Sequence, residues 1–277
     1  MGSGLTGVFD SGLGGLTVAG RILSELPELP LLYFGDTAHC PYGNRTADEV
    51  CALIDSIVAY LVGEGVEAVV MACNTSSALA YARVTSWCPV PVIGIIEPAA
   101  RAAGALTRNG KIGLIANPLT ARSGAYERAL APAVVELRRP EPREFEPRIF
   151  PVGCPKLVPL VEAGQVNTPE AREALEEYLG PLREEGVDTL ILGCTHYPFF
   201  CPLIRELMSD VTIVDPAEYA LEELRKLGLK GVESPVHRFE VSGNPAEFEK
   251  TGTRLLGRRL SGVRQVELVS RRASAAS

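Results

Sequence analysis

The sequence lacks any apolar run long enough to form a membrane-spanning helix, so no membrane partner is expected. It also lacks a basic segment followed by an apolar one near its start, so no secretory leader is expected. None of its seven cysteines belongs to a Cys-x-x-Cys pair, and their number is odd. These absences argue against a disulfide framework or a zinc ribbon, and they predict reduced thiols in a cytoplasmic protein.

Basic residues are in deficit, with 27 Lys and Arg against 34 Asp and Glu and a net charge of −7. A general nucleic-acid-binding protein needs a basic surface, so nucleic acid is not expected as a partner. The chain is 46% hydrophobic and 22% charged, which is typical of a globular protein. Its 277 residues are enough for two domains of ordinary size.

One stretch of the chain occurs twice. Residues 64–75 read Glu-Gly-Val-Glu-Ala-Val-Val-Met-Ala-Cys-Asn-Thr, and residues 185–196 read Glu-Gly-Val-Asp-Thr-Leu-Ile-Leu-Gly-Cys-Thr-His. Each begins as a short run of aliphatic and β-branched residues, which is typical of a strand buried on both faces. A small residue and then a cysteine follow each run. Cys73 and Cys194 therefore stand at equivalent points of two repeated units.

The alternation of apolar strands with amphipathic helices predicts an α/β fold. We expect two pseudo-symmetric domains, each a parallel-sheet α/β sandwich, with the active site in the cleft between them. The first domain is predicted to comprise residues 1–97 and 211–277, and the second residues 98–210. The polar tail from Ser270 to Ser277 is expected to be disordered.

Two thiols on opposite sides of a ligand suit the transfer of a proton from one face of a carbon atom to the other. Removal of the α-proton of an amino acid needs a positioned base, and inversion of the carbon needs an acid on the opposite face. Asp10, at the end of a predicted strand, could assist Cys73, and His196 could assist Cys194. Because a helix start lowers the pKa of a thiol, we expect the pKa of each cysteine to be lowered.

Other interpretations of the same residues stay open at this point. The two cysteines could be packing thiols, because free cysteine is among the most buried residue types. Cys194 with His196 could be a hydrolase pair, although this leaves Cys73 without a role. His39 and Cys40 lack the paired spacing of a zinc site. The Gly-rich turn after the first strand lacks the lysine of a phosphate-binding loop.

Five segments occur in order along nearly the whole chain, and two further ones accompany them. They read Val8-Phe9-Asp10-Ser11-Gly12-x-Gly14-Gly15-Leu16-Thr17-Val18, Phe34-Gly35-Asp36-Thr37, Pro41-Tyr42-Gly43, Ala72-Cys73-Asn74-Thr75, Leu192-Gly193-Cys194-Thr195-His196-Tyr197-Pro198, Val158-Pro159-Leu160-Val161-Glu162 and Phe239-x-x-Ser242-Gly243. Together they resemble the motifs of the glutamate racemases, within the aspartate/glutamate racemase superfamily.

The resemblance implies an isomerase that interconverts L- and D-glutamate without a cofactor or a metal. Such an enzyme supplies D-glutamate for bacterial peptidoglycan, and thus for cell-wall biogenesis and cell shape. The resemblance also implies two α/β domains and often a homodimer. In that family the thiol that matches Cys73 deprotonates the D-enantiomer, and the thiol that matches Cys194 deprotonates the L-enantiomer.

The resemblance implies roles for further residues. Asp10 and His196 would assist their respective thiols, and Glu162 would be an auxiliary group near the second thiol. The residues expected to bind the substrate are Asp10, Ser11, Pro41, Tyr42, Gly43, Asn74, Thr75, Thr120, Thr195 and His196.

The chain departs from the family pattern at several positions. Asn117 stands where a threonine is usual, which leaves the ligand role of this position open. Leu119 replaces a common glycine, Ser76 replaces a frequent alanine, and Pro216 follows Asp215 where serine is usual. Two alternatives remain: racemisation of aspartate or another amino acid, or a binding function such as inhibition of DNA gyrase, which is reported for some relatives. The acidic composition lends the gyrase alternative no support.

Overall fold

The computed structural model describes residues 4–136 and 145–268, so the predicted disordered tail lies outside the described residues. The strands in the described ranges are β1 (Thr6–Asp10), β2 (Leu31–Gly35), β3 (Ala68–Met71), β4 (Val92–Gly94), β5 (Lys111–Ala116), β6 (Arg148–Gly153), β7 (Thr189–Gly193), β8 (Thr212–Val214), β9 (Arg238–Val241) and β10 (Arg264–Gln265). The helices are α1 (Leu16–Glu25), α2 (Ala47–Gly63), α3 (Asn74–Thr85), α4 (Ile96–Leu106), α5 (Pro118–Arg122), α6 (Ala125–Glu136), α7 (Leu157–Glu162), α8 (Pro169–Glu185), α9 (Cys201–Leu207), α10 (Pro216–Lys226) and α11 (Pro245–Leu256).

The chain divides into two compact units. Unit 1 comprises the described residues up to Ile93 and from Leu224 onward, and unit 2 comprises Gly94–Glu223. The sheet of unit 1 has the order β10-β9-β2-β1-β3-β4, and that of unit 2 has the order β6-β5-β7-β8. β1 pairs in parallel with β2 and β3, and β5 pairs in parallel with β6 and β7. The predicted α/β class with parallel sheets is confirmed.

The repeat seen in the sequence is a repeat of topology. The order β2-β1-β3-β4 in unit 1 recurs as β6-β5-β7-β8 in unit 2. β3 and β7 hold the same place, and the thiols follow them, Cys73 after one intervening residue and Cys194 directly. Phe9 lies opposite Met71 in the first pair of strands, and Ile115 lies opposite Leu192 in the second. The position of Asp10 is therefore taken by Ala116 in unit 2, so the two thiols cannot have the same acidic neighbour.

Both boundaries between the units differ from the predicted ones, and the first lies after Ile93 instead of residue 97. The prediction assigned residues from 211 onward to the first domain, whereas unit 2 continues to Glu223. β8 forms a parallel ladder with β7, in which Thr212 lies opposite Thr189. The guanidinium of Arg101 also forms an ion pair with Glu223. Backbone pairing with β7 holds β8 in the second sheet, and the ion pair with Arg101 ties Glu223 on α10 to α4, so unit 2 continues past residue 210.

Helix α2 shows how the local sequence forms a helix that packs against the sheet of unit 1. Thr46 and Glu49 form a capping box, in which the Thr46 side chain accepts from the Glu49 N–H and the Glu49 carboxylate accepts from the Thr46 N–H. The helix then carries an apolar stripe that is buried against residues of β1, β2 and β3, including Phe9, Phe34 and Met71; the stripe consists of Val50, Ile54, Ile57, Val58 and Leu61. Burial of this stripe stabilises the strands whose ends carry polar residues.

Gly193, the last residue of β7, is packed too tightly for a side chain. A Cβ atom there would lie 2.6 Å from Leu114 Cδ1 and 3.0 Å from the Ile115 carbonyl oxygen. We expect Gly193→Ala to lower the free energy of unfolding by about 1–3 kcal/mol. Gly180, within α8, is a matched control with nothing within 4 Å of its Cβ position, so Gly180→Ala should raise it by about 0.5–1 kcal/mol. Urea denaturation followed by circular dichroism tests both, and equal midpoints for the two variants would contradict this packing argument.

Candidate active site

The carboxyl ends of the strands in unit 1 carry polar side chains. Asp10 ends β1, Asp36 follows β2, and Cys73 follows β3 after one intervening residue. Ser242 follows β9, which pairs with β2. Because the carboxyl ends of parallel strands share one edge of a sheet, side chains from four distant segments gather there. Roles were predicted from the sequence for Asp10 and Cys73 but not for Asp36 or Ser242.

Cys73 lies at the start of α3 and caps it. Its sulfur accepts a hydrogen bond from the Ser76 N–H at 3.4 Å, and its thiol donates to Ser11 Oγ at 3.5 Å. The residue is 6% exposed. Asn74 and Thr75 occupy the first turn of the same helix and are also buried. The predicted substrate-binding residues Ser11, Asn74 and Thr75 therefore lie next to the thiol, either in contact with it or adjacent in the chain.

The predicted lowering of the thiol pKa is wrong for Cys73. Burial raises the pKa of this thiol, and the negative charge of Asp10 raises it further. The hydrogen bonds of the sulfur with Ser76 and Ser11 lower it, but they do not compensate. The prediction rested on the helix start alone, whereas the pKa is set by loss of water and by a neighbouring carboxylate. Cys73 is therefore a protonated thiol at neutral pH.

Asp36 organises the segment that contains the predicted substrate-binding residues Pro41, Tyr42 and Gly43. Its carboxylate is 1% exposed and accepts hydrogen bonds from the Tyr42 hydroxyl and from Ser242 Oγ, each at 2.7 Å. A third contact of 2.7 Å joins it to His39 Nδ1.

Burial and the Asp36 charge raise the pKa of Tyr42, so its hydroxyl stays a donor to that carboxylate. This hydrogen bond ties the segment to the carboxyl end of β2.

Cys194 in unit 2 has a different partner. His196 Nδ1 lies 3.8 Å from Cys194 Sγ, and His196 Nε2 lies 3.2 Å from Glu162 Oε1. His196 is 6% exposed, whereas the Glu162 side chain is 38% exposed. A carboxylate can only accept, so Nε2 carries a proton toward Glu162, and Nδ1 either accepts from the thiol or, in the imidazolium form, donates to the thiolate. The structure thus brings together three of the predicted catalytic residues.

Two buried tyrosines lie near Cys194. Burial raises the pKa of Tyr126 and Tyr197 well above the usual range, and the charge of Cys194 raises both further. The Tyr197 hydroxyl donates to the Cys154 carbonyl oxygen at 2.9 Å. Both side chains therefore stay neutral beside this thiol.

The remaining predicted residues of unit 2 follow β5 and β7. Thr195 comes directly after the thiol and is buried, and Thr120 is buried within the short helix α5. Asn117, whose role the sequence left open, caps α5, because its Oδ1 accepts from the Leu119 N–H at 3.0 Å. A threonine can cap a helix in the same way, so the replacement preserves the start of the helix that carries Thr120.

Among the residues that the structure describes, no group of three or more His, Cys, Asp or Glu side chains could hold a metal ion. Within the same residues, no helix combines the length and the apolar composition needed to cross a membrane.

Comparison with known proteins identifies close relatives. Residues 21–224 match the family model described as Asp/Glu/hydantoin racemase. A glutamate racemase from Desulforudis audaxviator is 41% identical, over 97% of this chain and 100% of that protein. A glutamate racemase isoform from Bacillus anthracis, solved by crystallography, has a TM-score of 0.86 and 39% identity, over 95% of this chain and 97% of that one. The crystal structure of a Francisella tularensis glutamate racemase in complex with D-glutamate has a TM-score of 0.86 and 30% identity, over 96% of this chain and 98% of that one.

Proposed function

Since this chain belongs to the Asp/Glu/hydantoin racemase family and is an amino-acid racemase of the glutamate racemase group, we propose that it interconverts L- and D-glutamate with two thiols as acid and base. The observation that carries the mechanism is the matched placement of Cys73 and Cys194. Each follows the third strand of the four-strand order that the two sheets share, and each contacts a group that can steer a proton.

The proposed reaction is a pair of proton transfers. From D-glutamate, the Cys73 thiolate takes the α-proton, and the Cys194 thiol gives a proton to the opposite face of the carbon to form L-glutamate. The reverse reaction exchanges the two roles. Each turnover leaves Cys73 protonated and Cys194 deprotonated, or the reverse, so the thiols must regain their starting forms before the next substrate of the same hand reacts. No cofactor is needed in this scheme, because the thiols supply both the base and the acid.

The two thiols differ in how a thiolate would be stabilised. At Cys194 an imidazolium at His196 can donate from Nδ1 to the sulfur, while Glu162 holds the opposite ring nitrogen. At Cys73 the neighbouring carboxylate of Asp10 opposes the thiolate, so a positive charge must arrive with the substrate. The α-ammonium of glutamate is such a charge, and we propose that its proximity to Asp10 lets Cys73 act as a base.

The proposed substrate-binding groups suit an acid with two carboxylates. Ser11, Asn74, Thr75, Thr120 and Thr195 offer hydroxyl or amide donors and add no competing base of ordinary pKa. We further propose that the D-glutamate formed serves bacterial peptidoglycan synthesis and that the working enzyme is a homodimer. Both proposals come from the resemblance to the family.

Measurement of α-hydrogen exchange tests this function. The purified protein in D₂O should incorporate deuterium at the α-carbon of glutamate while circular dichroism at a carboxylate band decays to zero from either enantiomer. Parallel reactions with L- and D-aspartate decide the substrate. Faster loss of optical activity with aspartate would contradict the choice of glutamate, and exchange without loss of optical activity would contradict a two-base mechanism.

A further inference from the structure

We propose that Tyr33 is a positioning residue for proton transfer at Cys73. Its buried hydroxyl holds Gly12 in place, and Gly12 in turn orients the Asp10 carboxylate and the preceding Ser11 hydroxyl around the thiol. This inference rests on the function proposed above. It assigns a role to a residue that touches neither the thiol nor any of the predicted substrate-binding groups by hydrogen bond.

The contacts form a continuous path from the ring to the thiol. The Tyr33 hydroxyl donates to the Gly12 carbonyl oxygen at 2.9 Å. The Gly12 N–H donates to Asp10 Oδ2 at 2.8 Å. Ser11, between them in the chain, accepts the hydrogen bond of the Cys73 thiol. A shift of Gly12 must therefore move the two groups that face Cys73.

The surrounding sequence leaves space for this hydroxyl. A Cβ atom on Gly15 would lie 3.0 Å from Tyr33 Oη and 2.5 Å from Asp10 Cβ. A Cβ atom on Gly35 would lie 2.9 Å from the Gly12 carbonyl oxygen. Glycines at these two positions let the hydroxyl, the carbonyl and the carboxylate approach one another without a steric clash.

The ring itself is firmly held. Tyr33 is fully buried, and its ring centroid lies 6.1 Å from that of Phe239 and 5.8 Å from that of Phe248. Burial raises the pKa of Tyr33 well above its usual range, and the charges of Asp10, Cys73 and Cys40 raise it further. The hydroxyl is therefore a neutral donor at any pH at which the enzyme works, and removal of it leaves the buried Gly12 carbonyl without that bond.

Tyr33→Phe tests the role. Loss of a hydrogen bond to a buried carbonyl is expected to lower kcat/KM about 10- to 100-fold. The ratio of kcat/KM for the two enantiomers equals the equilibrium constant of the reaction, which is unity. The variant must therefore lower kcat/KM by the same factor for both enantiomers. The decisive readout is the primary deuterium isotope effect on kcat/KM with α-deuterated substrates. If Tyr33 positions the groups around Cys73, proton transfer at Cys73 becomes more rate-limiting in the variant. The isotope effect then rises for D-glutamate, whose α-deuteron Cys73 removes, and falls for L-glutamate, whose α-deuteron Cys194 removes.

Tyr60→Phe is the matched control. Tyr60 also donates its hydroxyl to a buried acceptor in unit 1, Glu240 Oε2 at 2.5 Å, but it makes no contact with the Asp10 turn among the described hydrogen bonds. The Tyr60→Phe variant is expected to have a lower thermal stability than the wild type. Its kcat/KM should stay within about 2-fold of the wild-type value, and both isotope effects should stay unchanged. Unchanged isotope effects in a folded Tyr33→Phe protein would overturn the proposal.

A second variant, Gly35→Ala, tests the proposal if Tyr33→Phe does not fold. Gly35→Ala keeps the hydroxyl but pushes on the Gly12 carbonyl, so it should shift the two isotope effects in the same directions. The outcome is separable from the proposed function. A wild-type protein that does not racemise glutamate would refute the function, whereas an active wild type with unshifted isotope effects in both variants would refute only the role of Tyr33.

Discussion

Cys73→Ala should abolish racemisation in both directions, lowering kcat/KM for each enantiomer on the order of 10⁴-fold or more. The variant has no base for D-glutamate and no acid to complete the conversion of L-glutamate. Cys194→Ala should lower kcat/KM by a similar factor, because that variant has no base for L-glutamate and no acid to complete the conversion of D-glutamate. Polarimetry with each pure enantiomer measures both, and racemisation that survives in Cys194→Ala would refute the two-thiol mechanism.

Two other cysteines provide matched controls for these variants. Cys51 lies on α2 in unit 1, where its thiol contacts the Leu79 carbonyl oxygen at 3.7 Å, and Cys201 begins α9 in unit 2. Cys51→Ala and Cys201→Ala remove the same atoms from the same units, so both should retain activity within about 2-fold if only the proposed thiols carry protons. A large loss in either control would show that removal of a thiol acts through stability.

His196→Asn should lower kcat/KM about 100-fold for both enantiomers. An asparagine amide can approximate a hydrogen bond near Nδ1, but it cannot gain or lose a proton, so it cannot stabilise the Cys194 thiolate with a charge. The isotope effect should rise for L-glutamate and fall for D-glutamate, which is the opposite of the shift expected for Tyr33→Phe. Isotope effects that move in the same direction in the two variants would contradict the assignment of His196 to the Cys194 step.

Glu162→Gln is the graded comparison for this variant. Glu162 contacts the far nitrogen of the ring and its side chain is 38% exposed, so water can partly replace it. We therefore expect a loss of roughly 10-fold at most. A loss as large as that of His196→Asn would show that the imidazolium depends wholly on the carboxylate.

Local sequence patterns predicted the elements that carry the site. The capping pair at Thr46 and Glu49, and the apolar stripe that follows it, depend only on neighbours along the chain. The two apolar runs that end at Cys73 and Cys194 form strands in equivalent places. These features were predictable because hydrogen bonding and burial at the scale of one element follow from residue order.

Contacts between distant segments were not predictable in this way. Asp36 and Ser242 are 206 residues apart in sequence, and only the pairing of β2 with β9 places their side chains at hydrogen-bonding distance. The place of β8 in unit 2 likewise depends on its pairing with β7. The sequence of a short strand does not predict which sheet the strand joins, because the backbone N–H and C=O groups that form the pairing are the same in nearly every residue.

The sequence by itself determined the α/β class, the internal repeat, the family motifs and the two thiols as candidates. Only the tertiary structure decided that Asp10 and burial raise the Cys73 pKa, that His196 links Cys194 to Glu162, and that Tyr33 reaches Gly12. The physical reason is that residue order sets which groups exist and which element carries them. Exclusion of water and the distances between charges arise only when separate elements pack together.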